Sequence, residues 1–269
     1  MQVRGKTVAV TGGGNGIGRE LVLLLLDRGA RVAALDISEP GLAETMRLAG
    51  DRADRVSTHV VDITDRDAVG ALPEAVIAAH GQVDGLINCA GIIQPFVRFN
   101  ELDYSAIDRI ININLYGTIH TCKAFLPHLL KRPEAHLLNV SSMGGFVPVP
   151  GQTMYGVTKA GVMLLTEALH SELAATNVAV TVVFPGAVAT HISENSGVTT
   201  AAEAKAQAAN STIKMTAPTD AARMMLDGME RDAYRVMVGP DAKFMDRLSR
   251  LSPLRAATII YKQMKELLP

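Results

Sequence analysis

The sequence predicts an α/β fold, a doubly wound, seven-stranded, mostly parallel sheet with helices on both faces, and three observations lead there. Seven short apolar runs recur with helical patterns between them, the alternation expected of parallel strands joined by right-handed crossovers. A glycine-rich turn follows the first run directly. No proline- and serine-rich linker, repeat or low-complexity tract interrupts the rhythm, so the 269 residues are expected to form one domain, 1–269.

The first run, Thr7 to Val10, leads into Thr11-Gly12-Gly13-Gly14-Asn15-Gly16-Ile17-Gly18 and then a helical stretch to Asp27. Glycines there permit a tight turn and let backbone N–H groups approach a pyrophosphate, and the positive end of the following helix favours the anion. The second run, Arg31 to Leu35, ends at Asp36, eighteen residues beyond Gly18 and followed by Ile37 rather than a basic residue. A carboxylate there accepts hydrogen bonds from ribose hydroxyls and repels a 2′-phosphate, which points to NAD over NADP. Uncharged Asn15 in the turn agrees. The third run, Val56 to Val61, is followed by Asp62, Ile63 and Thr64, and the fourth, Val83 to Asn88, by Cys89, Ala90 and Gly91. An apolar helix spans about 114–130. The fifth run, His136 to Val140, ends on Ser141 and Ser142, and a helical pattern carrying Tyr155 and Lys159 runs on to about Ala175. After the sixth run, Val178 to Phe184, come Pro185-Gly186-Ala187-Val188-Ala189-Thr190 and an alanine-rich stretch, Ala201 to Ala209, read as part of a lid over about 190–215. The seventh run, Arg235 to Val238, precedes a helical extension at about 241–269.

Composition narrows the function classes. With 48% hydrophobic residues, 20% charged and a formal net charge of −1, the chain has no polyanion-binding footprint, so no nucleic-acid partner is expected. Its early apolar run, Leu21 to Leu26, is far short of the roughly 20 residues of a membrane span. Met1 to Val10 lacks a signal-peptide pattern, and a cytoplasmic location is expected. Cys89 and Cys122 sit among apolar neighbours as reduced thiols, and the seven histidines show no ligand spacing, so no metal is expected.

Taken together, these motifs resemble the short-chain dehydrogenase/reductase family in its compact subfamily, over most of the chain. Thr11-Gly12-x-x-x-Gly16-x-Gly18 matches that family's cofactor turn, and Asp62 with Ile63 sits where the family contacts adenine. Asn88-Cys89-Ala90-Gly91 is similar to its Asn-Asn-Ala-Gly element, with Cys89 in place of the second asparagine. Asn114-Leu115-Tyr116-Gly117 matches Asn-x-x-Gly, Asn139-Val140-Ser141-Ser142 the end of the fifth strand, and Pro185-Gly186-x-Val188-x-Thr190 the segment that holds the nicotinamide carboxamide. The resemblance therefore implies cofactor contacts from Gly12, Asn15, Gly16, Ile17, Gly18, Asp36, Asp62, Ile63, Asn88, Ala90, Gly91, Tyr155, Lys159, Pro185, Gly186, Val188 and Thr190.

Tyr155 and Lys159 are four residues apart on a helix, so their side chains share one face. A neighbouring ammonium favours the phenolate, and Lys159 is expected to lower the Tyr155 pKa. The resemblance implies that Tyr155 exchanges a proton with the substrate oxygen, that Lys159 also bonds the nicotinamide ribose, that Ser142 bonds the substrate oxygen, and that Asn114 holds a water linking Lys159 to solvent. The expected activity is NAD-linked oxidation of a secondary alcohol or reduction of a ketone. The rivals are an NAD(H)-binding sensor or scaffold, and a dehydratase or epimerase that uses NAD transiently.

Ile92 to Val97, Met143, Phe146, Val147 and Met154 are candidate walls of an apolar substrate pocket. In the tail, Phe244, Leu248 and Leu251 are spaced for one helical face, as are Ile260, Met264 and Leu267. Such a face roofs the pocket or packs at a subunit interface. Membrane contact is not expected, since six Lys/Arg exceed three Asp/Glu by little. The family commonly assembles as homodimers or homotetramers, and the same is expected here.

Overall fold

A computed structural model describes residues 1–198 and 215–265. Seven strands, β1 (Thr7–Thr11), β2 (Arg31–Asp36), β3 (Val56–Val60), β4 (Gly85–Asn88), β5 (Ala135–Val140), β6 (Val178–Pro185) and β7 (Arg235–Val238), form one sheet. Its order is β3-β2-β1-β4-β5-β6-β7. The sequence predicts a mostly parallel sheet; all neighbouring pairs are parallel. Each strand lies within two residues of its predicted position. β4 starts at Gly85 rather than Val83 because the Asp84 carboxylate accepts from the Thr7 amide at 2.8 Å, side chain replacing ladder.

The helices are α1 (Gly16–Asp27), α2 (Glu39–Ala49), α3 (Arg66–His80), α4 (Tyr104–Ile111), α5 (Gly117–Leu129), α6 (Thr153–Glu172), α7 (Ile192–Asn195), α8 (Pro218–Glu230), α9 (Pro240–Leu251) and α10 (Pro253–Met264). A π-helical segment, Asn112–Tyr116, joins α4 to α5. Strand residues alternate between two cores, as a pleat requires. Val8 and Val10 pack with Leu21 and Leu25 of α1 and Met225 of α8. Ala9 faces the other way, with Val76 of α3 and Phe125 of α5. Between β1 and β4 the strand order reverses, and the carboxyl ends of the strands open there into a crevice.

Of the predicted lid, 190–198 with α7 and Met215 are placed, while 199–214, including Ala201 to Ala209, lie outside the described residues. The C-terminal extension is two helices meeting at Ser252, and its packing corrects one expectation. Ala242 and Met245 of α9 are buried, whereas Phe244 and Leu251 face solvent. Ala256 and Ile260 of α10 complete a third core with Met245 and Val147. Leu248 packs against this core, so the predicted face of α9 is divided, and Phe244 and Leu251 do not roof the pocket. Leu267 lies outside the described residues.

Candidate active site

One cleft of about 840 Å³ opens at the strand reversal. Its floor is the turn after β1. Gly12 has φ +73°, and a Cβ there would sit 3.1 Å from the Ala90 backbone; one on Gly18 would overlap the Gly12 carbonyl oxygen. Only glycine fits either place. Asn15 caps α1, its side-chain oxygen accepting from the Gly16 amide at 2.7 Å. Gly12, Asn15, Gly16, Ile17 and Gly18 all line the cleft.

At the far end, Asp36 closes β2. Its two carboxylate oxygens accept from the Gly14 and Ser38 amides, each at 2.9 Å, so the same group braces the glycine turn and faces the cleft. Ile37 beside it is exposed. Arg19 of α1 is occupied by the Gly14 and Gly41 carbonyls and by Thr45. Asp62 and Ile63 line the same end, with Asp62 fixed by Thr64. Ala90 and Gly91 line the middle, and Pro185, Gly186, Val188 and Thr190 the opposite wall. The Asp241 carboxylate lies against Gly186 where a Cβ would clash, and accepts from the Ala187 amide at 2.7 Å. An acid of α9 thus shapes a wall that sequence motifs assigned to residues 185–190 alone.

Two predicted site residues lie behind the cleft instead. Asn88 is buried in a network with Asn139 (2.8 Å), Thr121 (2.8 Å) and Cys122 (3.4 Å), so its side-chain groups are occupied by the scaffold. Asn114, in the π segment, accepts from the Ile92 amide and donates to the Ile92 carbonyl, both at 2.9 Å, and reaches Thr158 at 3.2 Å. It stands next to Lys159: a Cβ on Gly91 would lie 3.2 Å from the Lys159 amine and 3.3 Å from the Asn114 oxygen.

Ser142, Tyr155 and Lys159 converge on the middle of the cleft. Ser142, two residues beyond β5, caps a short 3₁₀ turn, accepting from the Gly144 amide at 3.1 Å, and its hydroxyl lies on the side of the Tyr155 phenol. Ser141 points the other way. Its hydroxyl donates to the Lys159 carbonyl at 2.7 Å, pinning α6 to the end of β5. The Lys159 amine donates to the Val140 carbonyl at 3.0 Å and stands 5.9 Å from the Tyr155 ring centre.

The electrostatics differ from the sequence expectation. Burial pushes the Tyr155 phenol above its ordinary value, and the hydrogen bond with Ser142 works against that shift. Lys159 does not lower it here, because its amine is directed to the Val140 carbonyl. Burial lowers the lysine itself to about 8, with Cys89 opposing. The Cys89 thiol is in turn pushed up to about 12 by burial and stays protonated at neutral pH.

Sequence reasoning missed Gln94, which it placed only in a pocket wall. This buried side chain accepts from the amides of Met154 and Tyr155 at 2.8 and 3.0 Å and donates to the Gly151 carbonyl at 3.0 Å. It is the N-terminal cap of α6, supplied from a loop some sixty residues earlier. The signal available in the sequence was negative: Gln152, just before the helix, is not among the favoured capping residue types, and its side chain makes no cap. Orphan amides at a buried helix end need a partner from elsewhere.

Above the cleft, α7 and Ser196 form a strap held from both banks. The Ser196 hydroxyl accepts from the Ile93 amide at 2.9 Å, its carbonyl accepts from Arg109 at 2.9 Å, and Asn15 donates to Asn195 at 3.2 Å.

Comparison with known proteins agrees with this geometry. Residues 6–201 match the family model described as short chain dehydrogenase. A Mycobacterium tuberculosis protein named as an oxidoreductase, SadH, is 35% identical over 251 residues, 92% of this chain and 91% of that one. Among solved structures, a short chain dehydrogenase/reductase from Burkholderia phymatum in complex with NAD aligns with TM-score 0.84 at 24% identity, over 93% of this chain and 95% of that one. A short chain dehydrogenase from Burkholderia cenocepacia in complex with NADP aligns with TM-score 0.80 at 26% identity, over 97% and 99%.

Proposed function

Because the chain belongs to the short-chain dehydrogenase/reductase family, an oxidoreductase family, we propose that it transfers hydride between NAD(H) and a secondary alcohol or ketone of largely apolar character. The observation that carries this reading is the convergence of Ser142, Tyr155 and Lys159 in one cleft with the glycine turn.

The residues fit the cofactor. Gly12 and Gly18 leave a cradle that any Cβ would fill, and the N-terminus of α1 points its free amides at it. Asp36 at the far end, beside uncharged Ile37 and with Arg19 already occupied, favours unphosphorylated ribose, hence NAD. When bound, the nicotinamide ring supplies or accepts the hydride. The protein's part is the proton. The Tyr155 phenol, facing Ser142, donates its proton to a carbonyl oxygen in reduction, and as the phenolate it takes one from the alcohol hydroxyl in oxidation. Ser142 donates a hydrogen bond to the same oxygen as charge develops there. Lys159, charged below about pH 8, offers its amine to the nicotinamide ribose. Asn114 supports Lys159 from behind. Pro185 to Thr190 bound the nicotinamide end, and Ile92, Ile93 and Ile192 give the cleft its apolar side.

We read 1–269 as one cytoplasmic domain. Exposed Tyr116, Val157 and Leu164 support its assembly as a homodimer or homotetramer. The test is NADH absorbance across secondary alcohols, hydroxysteroids, hydroxyacyl thioesters and sugars, followed by Tyr155→Phe on the best substrate. A fall in kcat of about 10² to 10⁴ with NADH affinity kept is expected, the usual worth of a positioned acid/base. Near-normal turnover by the variant rejects the mechanism.

A further inference from the structure

Helices α9 and α10 carry an outward face that the chemistry above leaves unused. Their inward stripe, Ala242, Met245, Ala256 and Ile260, packs on Val147, with Met143 and Phe146 of the segment after Ser142 against it. On the outward side, Lys243, Arg247 and Arg250 recur at helical spacing along α9, and Arg255 and Lys262 along α10, with Lys265 just beyond; all six are exposed. Apolar side chains stand among them. Leu251 is 85% and Leu254 78% exposed, on either side of Ser252 at the corner where the helices meet. Phe244 and Tyr261 are more than half exposed on the same helices.

No acidic side chain is exposed on this helix pair among the described residues. Asp241 is turned in to the Ala187 amide, and Asp246 is half-buried beneath Arg235 and Arg250. Of the six cations, Arg250 alone meets a carboxylate among the described residues, at 3.1 Å from Asp246. Counting the tail's charges along the sequence conceals this, because two of its three acids point inward. In a chain of net charge −1, so concentrated a cationic face is an asymmetry that pairing among the described residues leaves largely unneutralised.

We propose that this face docks peripherally on a bilayer containing anionic phospholipid, with Leu251 and Leu254 entering the headgroup layer and the six cations meeting lipid phosphates. Exposed leucines on a corner suit insertion between headgroups, and long Lys and Arg stems reach phosphates while their apolar parts cover the boundary. A second copy of the same face would set six cations against six. A rigid acidic protein would need a contour complementary to a projecting corner, whereas a fluid lipid surface needs none. Docking this way brings the bilayer to the side of the cleft beyond Ser142, where the inward stripe of the helices touches Met143 and Phe146.

The test is co-sedimentation of the full-length protein with vesicles of phosphatidylcholine alone and of phosphatidylcholine mixed with phosphatidylglycerol. Binding to the mixed vesicles at least about tenfold tighter, and weakened by salt, is expected. The pair Leu251→Ser and Leu254→Ser, and separately Arg247→Glu and Arg255→Glu, should each abolish it with circular dichroism and NADH binding unchanged. Equal partitioning of parent and variants, or no difference between the two vesicle types, overturns the proposal. So does a parent that ignores vesicles and loses oligomeric mass in the leucine variant, which assigns the face to a second copy. Retention of the parent on immobilised polyglutamate but not on vesicles assigns it to an acidic protein.

Discussion

The amine of Lys159 donates a 3.0 Å hydrogen bond to the carbonyl oxygen of Val140, one residue before the end of the chain segment that Ser141 pins to α6. That single contact accompanies the burial of a cation. Burial lowers the lysine from 10.5 to about 8, so in the folded protein the charged form is held at a cost on the order of 3 kcal/mol, at 1.36 kcal/mol per pKa unit.

The sign of the pH effect follows. Below about pH 8 folded Lys159 is charged and the cost is fully present. Between about 8 and 10.5 the unfolded chain binds a proton that the folded one does not, so stability rises with pH through that window on account of this group. Lys159→Met should raise Tm below pH 8, with the gain fading towards pH 10.5, while turnover is lost. Thermal unfolding of both proteins across a pH series reads it, and a gain independent of pH would remove the charge from the explanation.

Gln94→Ala leaves the amides of Met154 and Tyr155 without their acceptor at a buried helix end. A lost cap costs about 1 kcal/mol, and displacement of the residue it positions costs far more in rate. kcat should fall about tenfold or more while NADH affinity stays put, and Gln94→Glu, which keeps the acceptor oxygen, should recover most of it. Equal losses in both variants would mean that Gln94 acts through the Gly151 contact instead.

Asp36→Ala removes the carboxylate from both the Gly14 amide and the adenosine end of the cleft. NADH should bind about ten- to a hundredfold more weakly, in keeping with about 1.5–3 kcal/mol for a hydrogen bond to a charged group, and the preference for NADH over NADPH should narrow. Titration of tryptophan-free protein, monitored by nucleotide fluorescence, measures both affinities directly. Equal affinities in the parent would show that Asp36 serves the glycine turn alone.

Ser196→Ala deletes the acceptor that holds the strap to the Ile93 amide. Strap opening must precede exchange of a ligand beneath it, so nucleotide release by stopped flow should quicken several-fold with the affinity of the turn itself little changed. An unchanged release rate would place the barrier elsewhere.

The strands were legible because parallel strands buried on both faces read as short apolar runs. The cleft floor was legible because the glycines at 12 and 18 have no substitute where the backbone closes on itself. Less was readable where partners are far apart in sequence. Gln94 caps a helix from another loop, Asp241 of α9 shapes the wall at Gly186, and Asn88 faces Thr121 and Asn139 rather than the cleft. Tyr155 shows a different limit: i,i+4 spacing put Lys159 on its face, but the depth of both side chains, which decides the direction of their pKa shifts, is a tertiary property.

The π segment at Asn112–Tyr116 makes the long helical rod of α4 and α5 one residue out of phase with itself. Each α-helical residue turns the chain by about 100°, so excising one residue there to restore a regular helix would swing all of α4 by that angle about the rod. Asn112 and Ile113 would leave the cleft wall, and Arg109 would lose the Ser196 carbonyl. For anyone redesigning this scaffold, the irregular turn is a phase marker: length can be added or removed on either side in whole turns, but a single-residue edit across it rewires the wall and the strap together.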